Sequence, residues 1–427
     1  MKKILSFLVL APLIGLGQGV NFESGLSWQQ VLAKAKAENK YIFVDCYASW
    51  CGPCKMMDRD VYPKDSVGEA MNAHFVSVKV QMDTAKSDDD GVKAWYADAH
   101  ALMTTYNIGA FPSFLFFSPD GKIVHRGLGF QKSAAFVQLA ADAQDAGKQY
   151  YTLLERYRAG ARDFAVMPYL IKSAKTFHEP EIDSAMAADY LHGYLDKLNN
   201  AEICSKENLD FMGNVAKEMS SKDKVFLCFF KHGELADSVM HDKEYAKRFV
   251  NYIVAKEEIT PVTTEAKISG KEPDWEKISK NIKHKFGPAY VEGNVVGAKV
   301  GWYRTAKDWT NYTKYLVVQM DLQGLQNVPG GLMGILILNN SAWDVFQHSD
   351  NKEELEKAVT WSDRAIQMED KPSGNMLDTK ANLLYKLGKK DEAIELETKA
   401  LQLDPKAKDI NETLQKMQHG EPTWATR

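Results

Sequence analysis

An α/β layer built on a mixed sheet, followed by a long all-α region, is the architecture that the 427-residue sequence predicts. Three observations carry it. Apolar runs rich in branched and aromatic residues alternate with amphipathic segments up to about residue 147. From about Tyr150 the strand signal fades, and segments of helical periodicity follow one another. Near the C-terminus an internal echo recurs, with Ala358 aligning with Ala393 at a spacing of about 35 residues. A chain of this length exceeds one ordinary core, so two or three domains are expected.

The elements follow in order. "SWQQVLAKAKAENK" (27–40) places Trp28, Val31, Leu32 and Ala35 on one face and predicts an amphipathic helix. "YIFVDCYA" (41–48) is a continuous apolar run interrupted by Asp45 and predicts a buried strand. "CKMMDRDVY" continues as helix, "HFVSVKVQMD" (74–83) as a second strand, and "DDDGVKAWYADAHALMTTY" as one helix capped by its aspartates. "SFLFFSPDGKIVHRG" reads as two strands joined by a Pro-Asp-Gly turn, and a last helix runs from Ser133 to about Ala146. Trp95 and Tyr96 read as packing residues, and Asp88 to Asp90 as caps, since cation-loop spacing is absent.

Beyond Tyr150, "DFAVMPYLIKSAKTF", "EIDSAMAADYLHGYLDKL" and "EYAKRFVNYIVAKE" predict helices, while "EITPVTTEAKISGKEPD" reads as a long loop or linker. In "DTKANLLYKLGKKDEAI", Ala381, Leu384, Gly388 and Ala393 stand where two helices of a hairpin would pack closely. This pattern resembles a tetratricopeptide repeat, although the first copy lacks the glycine.

Acidic and basic residues nearly balance, with a formal net charge of -4, so nothing marks a nucleic-acid or other polyanionic partner. The N-terminus, "MKKILSFLVLAPLIGLGQGVNF", joins Lys2 and Lys3 to an apolar stretch from Ile4 to Leu16 and then to small residues. It predicts a signal peptide over 1–19 and an exported protein, periplasmic or secreted. Five cysteines are too few, and odd in number, for a disulfide framework: beside Cys51 and Cys54 stand only Cys46, Cys204 and Cys228. Cys46 reads as an inert buried thiol, and the pairing of Cys204 and Cys228 is left open.

"CYASWCGPCKMM" holds the one motif with chemistry in it. Zinc would need a second ligand cluster near this pair, and the sequence offers none; no metal site is expected. A bridge across so short a loop restricts the unfolded chain little, which makes stabilisation a poor reason for it. A reactive dithiol accounts for the neighbours as well. With the strand ending near Ala48, Cys51 falls at a helix N-terminus, where unpaired N–H groups favour the thiolate. Pro53 suits the first turn, and Cys54 lies one turn on, in reach of a mixed disulfide on Cys51.

"VDCYASWCGPCKMM" resembles the active site of the thioredoxin superfamily, and the likeness covers about 25–147. "WQQVLAKAKAENKYIFVDCYASWCGPCKMMDRDVY" is similar in particular to the periplasmic thioredoxin-like domains of thiol-disulfide interchange proteins. The resemblance implies a thioredoxin fold, a mixed central sheet flanked by helices, followed here by an all-α region with tetratricopeptide-like hairpins. It implies that Asp45 is the buried acid assisting proton transfer at Cys54, that Lys79 pairs with it, and that Trp50 covers the site. Pro112, in "IGAFPSFLFF", matches the family's cis-proline, which with Gly52, Pro53 and Phe111 would face an extended substrate. Phe111 departs from the smaller or branched residue usual there, and the interval from Asp83 to Tyr106 is longer than in compact members.

The function expected on these grounds is that of an exported thiol-disulfide oxidoreductase. It would reduce or exchange disulfides of protein substrates through a mixed disulfide, with no metal or organic cofactor, and a membrane-bound electron donor would recharge it. The alternative is a redox-linked adaptor whose helical, repeat-like region binds partner proteins. The expected division is a thioredoxin-like domain over 20–148, a helical domain over 149–335 and repeats over 336–420.

Overall fold

The computed structural model describes residues 19–425, and the signal segment expected over 1–19 lies, apart from Gly19, outside the described residues. The chain forms two compact units. One runs to Met219 and includes Asp223–Val225; the other comprises Ser220–Lys222 and the chain from Phe226 on. Among the described residues no helix is long and apolar enough to cross a membrane.

The first unit opens with α1 (Trp28–Glu38), β1 (Tyr41–Tyr47), α2 (Gly52–Asp60), α3 (Asp65–Asn72) and β2 (Phe75–Gln81). It continues with α4 (Asp90–Ala94), α5 (Tyr96–Thr105), β3 (Ser113–Phe117), β4 (Ile123–Leu128) and α6 (Ser133–Asp142). Ser27 starts α1 through a capping box with Gln30, and Asn39 ends it in a left-handed conformation. The strands lie in the order β2-β1-β3-β4, with β1 parallel to β2 and antiparallel to β3, and β3 antiparallel to β4. The mixed sheet expected from the sequence is therefore present. Gly121, at φ 80, turns the β3–β4 hairpin and donates its N–H to the Ser118 carbonyl at 2.8 Å.

Alternation along β1 sends its residues to two faces. Ile42, Val44 and Cys46 join a core with Val31 and Ala35 of α1 and Ala99 and Leu102 of α5. Phe43 enters the other core, where its ring centroid lies 5.2 Å from Phe116 and 5.4 Å from Phe136, beside Met57 of α2 and Met71 of α3. Burying each such ring contributes roughly 2–3 kcal/mol, which fixes the strand that ends at the cysteine pair. Asp45 shares the parity of Phe43 and so stands on the α2 side of the sheet.

Both sheet edges are covered. Phe22 forms a bridge to Ser77 on β2, and the Glu23 N–H donates to the Ser77 carbonyl at 2.8 Å. On β4, the buried His125 accepts the Tyr150 N–H at Nδ1 (3.0 Å), satisfying a first-turn donor of α7 (Tyr150–Arg158). Arg126 donates to the Tyr106 carbonyl at 2.8 Å and stacks 4.7 Å from the Phe177 ring, just past α8 (Met167–Thr176). Packing within the first unit is thus continuous across residue 148. Beyond α8 come α9 (Pro180–Gly193) and shorter turns.

The second unit is all helical. Helices Gly331–His348, Lys352–Met368, Gly374–Lys386 and Lys390–Leu403 pack in succession, with Ala358, Ala365, Ala381, Ala393 and Ala400 fully buried where the helices meet. Gly388, at φ 83, turns the last pair.

Two segments differ from the sequence expectation. The stretch read as a linker contains the helix Thr260–Ser269, preceded by a wide turn over Ala255–Ile259. Pro261 falls in its first turn, where no N–H is needed, and Gly270 closes it at φ 67, so these two residues serve as its start and stop. The single helix expected over 88–106 divides at Trp95, whose indole N–H is held by the Leu26 carbonyl at 3.0 Å. Of the three aspartates, Asp89 caps α4; Asp88 instead accepts from Tyr96, Gln81 and the Ala85 N–H.

Candidate active site

Cys51 is the N-cap of α2, in extended conformation, with Pro53 in the first turn behind it. Its sulfur accepts the Cys54 N–H at 3.1 Å and is joined to the Cys54 sulfur in a disulfide, with Cα atoms 5.3 Å apart. The free N–H groups of a helix start point at this sulfur, so a negative charge there is favoured. Ser49, in the loop before it, donates its N–H (2.9 Å) and its hydroxyl to the Asp83 carboxylate, which anchors the strand-to-helix turn.

The pair is covered. Cys51 is 2% and Cys54 4% exposed, and Tyr47 and Phe111 pack against the small cluster they form with Ala48. Phe111 in turn meets Trp50 edge-on, with centroids 6.0 Å apart, while Trp50 itself is 70% exposed. The Phe111–Pro112 peptide is cis, as the family resemblance implies. The loop is fixed by the Gly129 N–H on the Pro112 carbonyl (2.8 Å) and the Ser113 hydroxyl on the Ala110 carbonyl (2.8 Å).

On the α2 side of the sheet lies a charged chain. Asp45 is 1% exposed and one of its oxygens, Oδ1, has no hydrogen-bond partner among the described residues. Burial pushes its carboxyl up to about 7, against the opposing pull of the Lys79 ammonium and the Tyr62 hydroxyl. Lys79 lies across the strand pair from Asp45, its Nζ 3.8 Å from Oδ2, and also forms a close ion pair with Asp58 of α2. The rings of Tyr47, Phe22 and Tyr62 surround the ammonium at 5.0–5.7 Å. Cys46 points to the opposite core, and burial holds its thiol well above the ordinary range.

The structure thus brings Trp50, Cys51, Cys54 and Phe111 into one cluster and sets Asp45 and Lys79 beside α2. Asp58 and Asp83 were missed in the sequence. Asp58 had a readable signal, since it falls four residues after Cys54, one turn further along α2.

A sequence model of the thioredoxin-like domain family matches residues 28–144. A thioredoxin-like protein of Synechocystis is 32% identical over 99 residues, which cover 23% of this chain and 77% of that protein. The chain belongs to the thioredoxin-like family. The thiol:disulfide interchange protein DsbD of Pseudomonas fluorescens is 30% identical over 94 residues, 22% of this chain. The match spans only 14% of that DsbD's length. Among solved structures, a putative disulphide-isomerase from Bacteroides thetaiotaomicron is 29% identical, with a TM-score of 0.25, over 30% of this chain and 97% of the other.

Proposed function

We propose that the protein is an exported thiol-disulfide oxidoreductase, periplasmic or secreted, that reduces or exchanges disulfides of protein substrates. One observation carries the reading: Cys51 caps a helix with its sulfur on the Cys54 N–H and bonded to the Cys54 sulfur. In the reduced protein the Cys51 thiolate attacks a substrate disulfide, forming a mixed disulfide and releasing one substrate thiolate. Cys54 then gives up its proton, with Asp45 as the acceptor and Lys79 holding that carboxylate, and attacks the Cys51 sulfur. The second substrate thiolate leaves, the substrate has gained two electrons, and Cys51–Cys54 is oxidised.

Trp50, Gly52, Pro53, Phe111 and Pro112 form the face against which an extended substrate segment pairs. A membrane-bound dithiol donor returns the two electrons. The helical hairpins after residue 330, whose first helix exposes Leu332 and Met333, support a second role for that region in holding a partner protein. The proposed division remains a leader over 1–19, a redox domain over 20–148, a helical domain over 149–335 and repeat-like hairpins over 336–420.

Reduction of insulin by the purified chain in the presence of a dithiol tests the reading. Wild type accelerates it, and Cys51→Ser and Cys54→Ser abolish the acceleration. Equal rates in wild type and both variants leave the adaptor role alone.

A further inference from the structure

Three side chains meet in the first unit away from the dithiol. His192 stands in the last turn of α9, Asp196 in the short turn Leu195–Lys197, and Asp223 just before the helix Lys224–Met240. The His192 Nδ1 lies 3.2 Å from Asp196 Oδ2 and 3.6 Å from Asp223 Oδ1, and all three ligand atoms fall within 4.8 Å of one another. Bonds of about 2.1 Å to a tetrahedral zinc ion set its ligand atoms roughly 3.4 Å apart, a value these two distances bracket. The other oxygen of Asp196 is taken by the Val225 N–H at 3.2 Å, which turns Oδ2 toward His192.

Charge and access point the same way. The side chains of Asp196 and Asp223 are only 16% and 11% exposed, so two carboxylates share a poorly hydrated space with one imidazole. A divalent cation adds two positive charges beside these two carboxylates. His192 is 53% exposed, which leaves an open side where water completes the coordination. One imidazole with two carboxylates suits zinc and its first-row neighbours better than calcium or magnesium, which prefer oxygen alone. No short sequence motif announces the trio, because Asp223 lies far along the chain from the other two.

We propose that His192, Asp196 and Asp223 form a binding site for a divalent first-row cation, with zinc as the fitting ion, which ties the end of α9 to the segment before Lys224. The site is independent of the redox chemistry.

The test uses the full-length, tag-free protein with its dithiol oxidised, titrated with Zn2+ by calorimetry and with Co2+ by visible absorption. Expected are one equivalent bound, a rise in the melting temperature with Zn2+, and affinity at least about tenfold weaker in both His192→Ala and Asp196→Asn. His192→Gln keeps a polar side chain at this half-exposed position and guards against a folding defect. Absence of stoichiometric binding in wild type, affinity unchanged in the variants, or a thiolate-to-cobalt absorption band would overturn the assignment.

Discussion

Asp45 and Lys79 are direct partners across the parallel strands β1 and β2, and the buried carboxylate sits 3.8 Å from the ammonium, its Oδ1 without a hydrogen-bond partner among the described residues. The pair is unequal: Lys79 divides its charge between Asp45 and the better exposed Asp58. Burial therefore prevails, and the Asp45 carboxyl rises to about 7.

A carboxyl whose folded pKa stands above its unfolded value keeps its proton longer in the native state. Its contribution to stability is then complete below about pH 4 and is lost as pH rises through about 7, by on the order of 2–4 kcal/mol. Asp45→Asn is expected to unfold at higher temperature than wild type at pH 8 and at a similar temperature at pH 4, by calorimetry. The same variant should lose at least about tenfold in insulin reduction at pH 8, because Cys54 loses its proton acceptor. A variant as active as wild type and no more stable would contradict the role given to this carboxyl.

Phe111 packs on the disulfide and holds Trp50 edge-on. This ring is expected to shield Cys51 from an attacking thiolate. One aromatic pair is worth about 1 kcal/mol, so Phe111→Val should speed reduction of the oxidised protein by dithiothreitol by roughly fivefold. Stopped-flow tryptophan fluorescence follows the reaction; a slower variant would show that the ring assists attack.

Much of this site was legible because its parts are local. The strand run ending at Ala48, the spacing of Cys51 and Cys54, and Pro53 in the first turn specify the helix cap within twelve residues. Pro112 and Lys79 entered through resemblance alone, since neither is near the cysteines in sequence. Asp58, Asp83 and the ring contacts of Phe111 depend on how α2, β2 and the proline loop dock, which periodicity does not encode. The helix at 260–269 departs from the loop reading because Pro261 stands in its first turn and Gly270 at its stop, where neither interrupts it. The bond from Tyr150 to His125 was likewise hidden, for an imidazole on an edge strand gives no sign of the helix it will cap.

That imidazole sets an acid limit on the first unit. Burial lowers the His125 pKa to about 4 from an ordinary 6.5, with Asp142 opposing. A base with a lowered folded pKa is protonated first in the unfolded chain, so its contribution is complete above about pH 6.5 and is lost as pH falls toward 4. The loss is roughly 3 kcal/mol. Urea unfolding at pH 7 and pH 4.5, in an Asp45→Asn background that removes the opposing contribution of that carboxyl, should show it. His125→Leu should flatten that slope while costing about 1–2 kcal/mol at pH 7, from the unsatisfied Tyr150 N–H. An unchanged slope would place the acid sensitivity elsewhere.

The most direct measurement is to trap the intermediate. Cys54→Ser protein, reduced and then mixed with an oxidised peptide substrate, is digested without reductant and its disulfides mapped by mass spectrometry. The substrate should be found bonded to Cys51, and no adduct should form in Cys51→Ser. Substrate bonded to Cys46, Cys204 or Cys228 instead, or no adduct with Cys51 intact, would contradict the assignment of Cys51 as the attacking sulfur.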